Sequence, residues 1–349
     1  MTLSRLLNHH AAGIVLTEDR GARTPARYVS DPVSESVDEE GAALIDFSHF
    51  GVVVVRGEER VDFLSGLITN QVRKATATQV VYSALLSPQG RFLWDFTIVA
   101  RSDALLLVTE PDRVRELVAQ LNFYKLRSKV TISEAEPEEG LLGLVGGGSA
   151  AALARVFPGF DGSQAGLGSL FTPEPGVALW RDPRHADFGW RLLASEAVLS
   201  ALWDRLTGVA RPTGWEAWEH YRQARCLPRA GAEFMVGTSL PLESGLKELN
   251  GVDFGKGCYV GQETTARTHH RGTIKKRLFR VGVVGSSPPP VGTLVLDAGG
   301  REIGVLTSLS PRGGVGLAIL KPAEFSPGDQ LRAGDCSVEA SRPDWAEWE

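Results

Sequence analysis

The order in which strand and helix signals follow one another restricts this chain more than any single residue does. Gly51–Gly57 (GVVVVRG) is a run of β-branched residues, and the next segment, EERVDFLSGL, sets Val61, Leu64 and Leu67 at helical spacing. Val80–Leu86 and Arg91–Ala100 are apolar strand segments joined by the turn Ser87–Gly90, a hairpin by composition. Ala104–Thr109 adds another strand. Glu110-Pro111-Asp112 then opens a helix with Val114, Leu117 and Leu121 on one face, and Lys129–Ala135 closes the series as a strand. The order β-α-β-β-β-α-β is a split βαβ unit, ferredoxin-like, with one extra strand.

A second unit of the same type follows. Leu141–Gly147 reads as a strand, Ser149–Phe157 as a helix capped by Ser149, Gly176–Trp180 and Phe188–Ala194 as strands, and Ser195–Gly208 as a helix, with a Gly-rich stretch at Gly159–Gly168. No sequence repeat relates the two units, so only the architecture repeats. Two sheets with helices on one face each would meet in a shared core. Thr213–Leu227 reads as a helix whose Trp215, Trp218 and Tyr221 form a core stripe rather than a cofactor platform. Residues 1–40 are polar and punctuated, with His9-His10 read as loop or frayed helix; the acidic lead into the apolar run of Ser30–Leu44 predicts the first turns of a helix.

From Lys276 onward the segments FRVGVVG, TLVLDAGG, EIGVLTSLS, GVGLAIL, DQLRAGD and CSVEAS are short strands broken by Gly, Pro and Asp, the pattern of a small barrel or sandwich. The terminal WAEWE is either a docking tail or disordered. The expected fold class is α+β, with α/β lobes over 51–137 and 138–275 and a C-terminal antiparallel β-barrel over 276–349.

Composition removes some functions and leaves others. A net charge of −5 gives no global field for nucleic acid, and there is no apolar run of about 18 residues to span a membrane. The start, MTLSRLLNHHAAG, lacks the apolar core and cleavage site of a secretory signal, which predicts a cytoplasmic protein. The cysteines, Cys226, Cys258 and Cys336, are odd in number and 32 and 78 residues apart, against both a disulfide scaffold and a self-contained metal or cluster site. Cys226 and Cys336 fall at positions expected to be buried.

Chemistry concentrates in Phe254–Arg280, around KGCYVGQE (Lys256–Glu263). Gly257 and Gly261 bracket Cys258 in a tight turn, and Gln262–Arg267 can run as a short helix. Cys258 would then lie just ahead of a helix N-terminus and beside Lys256, both of which favour thiolate. The alternative is a small buried residue in a tight turn, with Lys256 turned to solvent. His269 and His270 could join Cys258 on a metal, but together they supply too few ligands for a closed site, and a polar helix end is the simpler reading. Arg267, Arg271, Lys275, Lys276, Arg277 and Arg280 form a basic segment: a solvated face, a seat for an anionic ligand tail, or a contact for an RNA backbone. A second candidate is Asp95, a carboxylate in the apolar strand FLWDFTI; it either faces outward on the alternation or needs a partner or a ligand.

KGCYVGQE, with the ARTHHRG and KKRLF that follow, resembles the YgfZ family of folate-binding iron–sulfur cluster assembly proteins, relatives of the glycine cleavage T-protein, an aminomethyltransferase. LIDFSHFGVVVVRGEERVDFLSGLITNQV and YSALLSPQGRFLWDFTIV resemble stretches common to both branches, and TSLPLESGLKELNGVDFGKGCYVGQE places the chain with YgfZ. The resemblance implies two interwoven α/β lobes, with residues 1–50 joining the second, and a barrel around a central hole. It implies tetrahydrofolate or a derivative as cofactor, with Asp95 beside the pterin, and Cys258 as the reactive residue. Lys256, Tyr259, Gln262, Glu243 and Arg267 complete the expected folate-binding set. The T-protein's pterin-holding glutamate has no counterpart in DFGWRLL (Asp187–Leu193), and its GRE-like ending is Gly261-Gln262-Glu263 here. The function implied is therefore an accessory role in cluster assembly or repair, with assembly machinery or client enzymes as transient partners and any effect on tRNA modification indirect. The alternatives are a folate-dependent one-carbon transferase and, less favoured by the net charge, an RNA-binding module.

Overall fold

The computed structural model describes residues 2–7, 9–10, 14–29, 35–37, 40–135, 139–271, 274–326 and 328–348. Two antiparallel-rich sheets carry the first two thirds. The first has five strands in the spatial order Val81–Leu86, Phe92–Ala100, Ala104–Thr109, Gly51–Arg56 and Thr131–Glu134, antiparallel throughout. The helix Val114–Lys125 packs on it through Val114, Leu117 and Leu121, the face read from the sequence. The second sheet has six strands in the order Leu170–Phe171, Ala178–Arg181, Trp190–Ser195, Glu139–Val145, Ala43–Asp46 and Arg211–Pro212, backed by the helices Ser149–Val156 and Glu196–Thr207. Because Ala43–Asp46 belongs to the second sheet and the chain then builds the first before returning at Glu139, the lobes are interwoven.

Several expectations change. Ala43 and Leu44 are strand, not helix: four consecutive buried residues, Ala43 to Asp46, fit an inner strand. The rest of that expectation falls partly on residues 30–34 and 38–39, outside the described residues. Ser149 is the first residue of its helix and not its cap; Gly148 takes the cap position and the Ser149 hydroxyl has no hydrogen-bond partner. Residues before 40 hold a hairpin, Val15–Asp19 with Ala22–Arg27, turning at Arg20-Gly21 with both residues at positive φ.

The C-terminal strands Arg277–Val284, Leu294–Leu296, Glu302–Leu309, Val315–Leu320, Leu331–Ala333 and Cys336–Ser341 close into a six-stranded antiparallel barrel. Cys336 is buried in it and Cys226 is buried where the lobes meet. The tail docks: Trp345 is buried and its Nε1 donates to the Cys226 carbonyl at 3.0 Å. The largest core joins both sheets, the helix Trp215–Ala224 and the barrel, and beside it lies a cleft.

Candidate functional site

The strand Phe92–Ala100 carries Asp95 into a narrow cleft at the meeting of the lobes. In the hairpin register Asp95 lies opposite Ala84, so Tyr82 is its diagonal neighbour on the same face. The Tyr82 hydroxyl donates to Asp95 Oδ2 at 2.7 Å. Asp95 thus faces inward and has a partner. Burial pushes its carboxyl above the usual range, while the Tyr82 hydrogen bond and the nearby Arg184 pull it back in part. Burial, together with Asp95, also holds the Tyr82 phenol well above its ordinary value.

Arg184, from the loop after Ala178–Arg181, forms a two-pronged pair with Asp182 (Nε to Oδ1 2.9 Å, Nη2 to Oδ2 2.8 Å) and lies 3.6 Å over the Phe188 ring. Burial alone would raise Asp182; Arg184 and Arg191 outweigh it and hold the carboxyl low. Arg191, buried against Phe47 and Trp218, is pushed down to about 10 by its desolvation. Arg191 stands within DFGWRLL, so that stretch brings a cation to the cleft. Aromatic rings supply much of the wall, and the Trp180 Nε1, buried, has no hydrogen-bond partner. Trp218 is both core and cleft wall, which qualifies the reading of its stripe as core alone, while Trp215 lies in the core. Tyr82 also lines a wider, more open groove of about 700 Å3 with Asn70, Lys74, Lys247, Asp253 and Phe254.

The signature segment reaches the first lobe at three points. Thr69 Oγ1 and Asn70 Nδ2 donate to the Gly251 and Asn250 carbonyls at 2.6 and 2.7 Å. Lys256 Nζ donates to the carbonyls of Ser65 and Ile68 at 2.8 and 2.5 Å, capping the end of the helix Arg60–Ser65. Gly261, at φ +81°, sits against the Ser87–Gly90 turn so closely that a Cβ would lie 2.5 Å from the Ser87 carbonyl oxygen. Between the last two anchors Gly257 and Cys258 are exposed, flanked by buried Lys256 and Tyr259. Both expectations for this turn are thereby revised. Cys258 is exposed, but the Lys256 ammonium is turned into the first lobe to satisfy carbonyls, and Gly257 needs neither positive φ nor close approach. Burial lowers Lys256 to about 8.

The remaining expected residues lie around this segment. The Tyr259 ring lies 4.8 Å from Lys256 Nζ, and burial raises its phenol to about 12. Gln262 opens the helix Gln262–Arg271, and Arg267 on that helix is half exposed, 3.9 Å from Glu263. Glu243, in the short 3-10 turn Pro241–Ser244, is raised by partial burial against the pull of Lys276, Arg91 and Arg277. His269 stacks on Phe254 at 3.8 Å. Of the expected set only Asp95 lines the cleft; Cys258, Lys256, Tyr259, Gln262, Glu243 and Arg267 do not. The basic segment is split between that helix and the barrel, where Arg277 pairs with Glu248 at 3.3 Å. Among the described residues no three His, Cys, Asp or Glu side chains come together as a metal cage, and no helix is long and apolar enough to cross a membrane.

Sequence reasoning missed Tyr82, Asp182, Arg184 and Arg191. Hairpin register could have found Tyr82; the other three come from a loop and a strand end with no periodic signal.

Comparison with known proteins fits this geometry. Residues 7–253 match the GCVT N-terminal domain family, and residues 275–348 match the CAF17 C-terminal beta-barrel domain. The human mitochondrial iron–sulfur cluster assembly factor IBA57 is 32% identical over 83% of this chain and 82% of its own length. This chain belongs to the IBA57 family. A Neurospora crassa IBA57 homolog is 30% identical over 88% of the chain and 70% of its own. The aminomethyltransferase T of the Bartonella henselae glycine cleavage system shares the fold, with a TM-score of 0.77 over 99% of this chain and 98% of that one at 20% identity. The α+β expectation of T-protein-like lobes with a C-terminal barrel is met. Within the IBA57 family, this member's cleft and its exposed thiol occupy separate places.

Proposed function

We propose that this chain is a YgfZ-type, folate-binding accessory protein that supports assembly or repair of iron–sulfur clusters in other proteins. The observation that carries the folate half is the buried Tyr82–Asp95 pair at a cleft whose Trp180 N–H has no partner. The cleft's aromatic walls suit a flat heterocycle, and the orphan donor and the buried carboxyl suit a ring edge rich in donors and acceptors. Tetrahydrofolate or a derivative fits these residues, and when bound it supplies a carrier for one-carbon units. The chain's own part is to enclose the ring with the cleft's aromatic wall, to exclude water, and to hold a proton at the Asp95 carboxyl, whose raised pKa suits donation as well as acceptance. Arg184 orients that carboxyl's surroundings through Asp182.

The cluster is cargo. The exposed Cys258 thiol is its one free cysteine ligand here, since Cys226 and Cys336 are buried. A cluster bound at Cys258 takes its other ligands from a client, assembly protein or second copy. The IBA57 relatives' name supports this half. Lys256 and Tyr259 flank Cys258 and Gln262 opens the helix that follows, so these residues, with Glu243 and Arg267, lie outside the cleft that holds Asp95. The reduced thiols suit a cytoplasmic setting.

A second reading, one-carbon transfer, is favoured by the Tyr82–Asp95 pair itself, a buried acid beside a phenol. It would require turnover of an aminomethyl or methyl donor. The deciding experiment is anaerobic calorimetry of tetrahydrofolate with wild type, Asp95→Ala and Cys258→Ala. It is paired with the activity of a cluster-dependent enzyme in cells lacking the chain. Expected are binding by wild type, weaker binding by Asp95→Ala, and normal binding but no rescue by Cys258→Ala. Absence of wild-type binding sinks the folate half; full rescue by Cys258→Ala sinks the thiol's role.

A further inference from the structure

The helix Val114–Lys125 ends in a tip that the fold leaves uncovered. Phe123 is 75% and Leu126 89% exposed, three residues apart. Of the other exposed apolar side chains, Val284, Val291 and Leu294 belong to the barrel region, and each is less exposed than Leu126. Leu126 also adopts φ +45°, ψ −107° at the helix end. Positive φ with so negative a ψ is a conformation open mainly to glycine, and leucine pays in backbone strain. A strained leucine that buries nothing contributes nothing to this chain's own packing.

Charge surrounds the tip asymmetrically. Lys125 and Arg127 flank Leu126, and among the described residues neither makes an ion pair. Neighbouring cations are spent: Arg113 pairs with Glu116 at 2.9 Å, Arg115 with Glu134 at 3.4 Å and Lys129 with Glu58 at 2.6 Å. Lys125 also complements the helix's negative end, but Arg127 lies beyond it. Two free cations around two apolar side chains, on a chain of net charge −5, complement an acidic surface with an apolar pocket. Two cations are too few to hold an anionic membrane, which takes clusters of about 4–8, and the carboxylates of Glu58, Glu116 and Glu134 nearby oppose it.

We propose that Phe123, Leu126, Lys125 and Arg127 form a docking surface for an acidic protein partner with an apolar pocket. The proposal is independent of the folate reading. It is tested by placing the photo-crosslinker p-benzoylphenylalanine at position 123 of the full chain in its own cells, with the same probe at Val284 as the control. The expected result is an adduct absent from the control, mapping to an acidic segment of another protein that borders apolar residues. Lys125→Glu with Arg127→Glu should cut its yield about tenfold. Leu126→Gly should cut it similarly while leaving thermal unfolding unchanged or raised, because glycine relieves the positive φ. No adduct above the control overturns the proposal, as does an adduct to a second copy or one indifferent to charge reversal. Phe123-dependent co-sedimentation of the purified chain with phosphatidylglycerol vesicles would overturn it in favour of a lipid surface.

Discussion

Asp95 shows how a buried acid can cost stability and still be kept. Its folded-state pKa is raised, chiefly by burial, so its contribution to stability is fully present below the unfolded carboxyl value and is lost as pH rises through the raised one. Asn at this position can still accept the Tyr82 hydrogen bond without carrying a charge. Asp95→Asn is therefore expected to be more stable than wild type by about 1 kcal/mol at pH 8, with the gap closing towards pH 4. Urea unfolding at both values checks this; a variant less stable at pH 8 would mean that the carboxylate is better compensated than its neighbours suggest. Lys256 has the opposite arithmetic. Its ammonium is held down to about 8 by burial, below the ordinary 10.5, and a base depressed in this way contributes stability above the unfolded value that is lost as pH falls through the folded one. Lys256→Met leaves the Ser65 and Ile68 carbonyls without their donor and should cost about 1–3 kcal/mol. The deficit against wild type should widen between pH 7 and pH 10, measured by denaturant midpoints across that range.

At the scale of elements, the signature turn and the hairpin Ser87–Gly90 are two glycine turns that fit back to back. Gly90, at φ +77°, would place a Cβ 2.7 Å from Thr264 Cβ, just as one on Gly261 would strike the Ser87 carbonyl. Gly261→Ala is expected to lose about 2 kcal/mol or more and to speed alkylation of Cys258 by freeing its bulge, while tetrahydrofolate affinity stays near wild type. Gly257→Ala, with no atom within 4 Å of its Cβ and an ordinary φ, should leave stability unchanged. Thermal unfolding and iodoacetamide kinetics on the pair separate the two; equal behaviour would refute the docking role of Gly261. These contacts explain what was legible in the sequence. Long periodic segments such as Val114–Lys125, and short strands between turn residues in the barrel, announced themselves because one face of each is buried. Leu170–Phe171 and Arg211–Pro212 did not, since two residues carry no period. Cys258 was legible as exposed chemistry, but Lys256 was not legible as a helix cap, because its carbonyl partners lie 188 and 191 residues away.

Over the whole molecule, the lobes, the N-terminal hairpin and the barrel are tied by one buried ionic cluster. Arg229 donates to Asp19 of the hairpin (Nη1 to Oδ1 2.9 Å) and to Glu110 of the first lobe (2.8 and 2.6 Å). Arg222 joins Glu219 at 2.7 Å and Glu233 at 3.1 Å, and Glu233 accepts from Ser308 in the barrel. Burial would raise Asp19, but Arg229 and then His49 outweigh it, so its carboxyl sits far below the usual range. Such a group contributes stability that is present above the unfolded value and lost only as pH falls through the depressed one, so the cluster should survive acid in which exposed carboxylates are already protonated. Arg229→Met removes the cation and leaves two buried carboxylates facing each other, a loss of about 3–5 kcal/mol. Its acid unfolding should begin at higher pH than that of wild type, because Asp19 then takes up a proton more readily. Adding Asp19→Asn and Glu110→Gln should restore most of the loss, since the two carboxylates that Arg229 bridges are then neutral as well. Guanidinium unfolding of the single and triple variants decides it. If the triple variant remains as unstable as Arg229→Met, the cost lies in lost packing of the arginine against Trp215, 4.6 Å from its guanidinium carbon, and not in stranded charge.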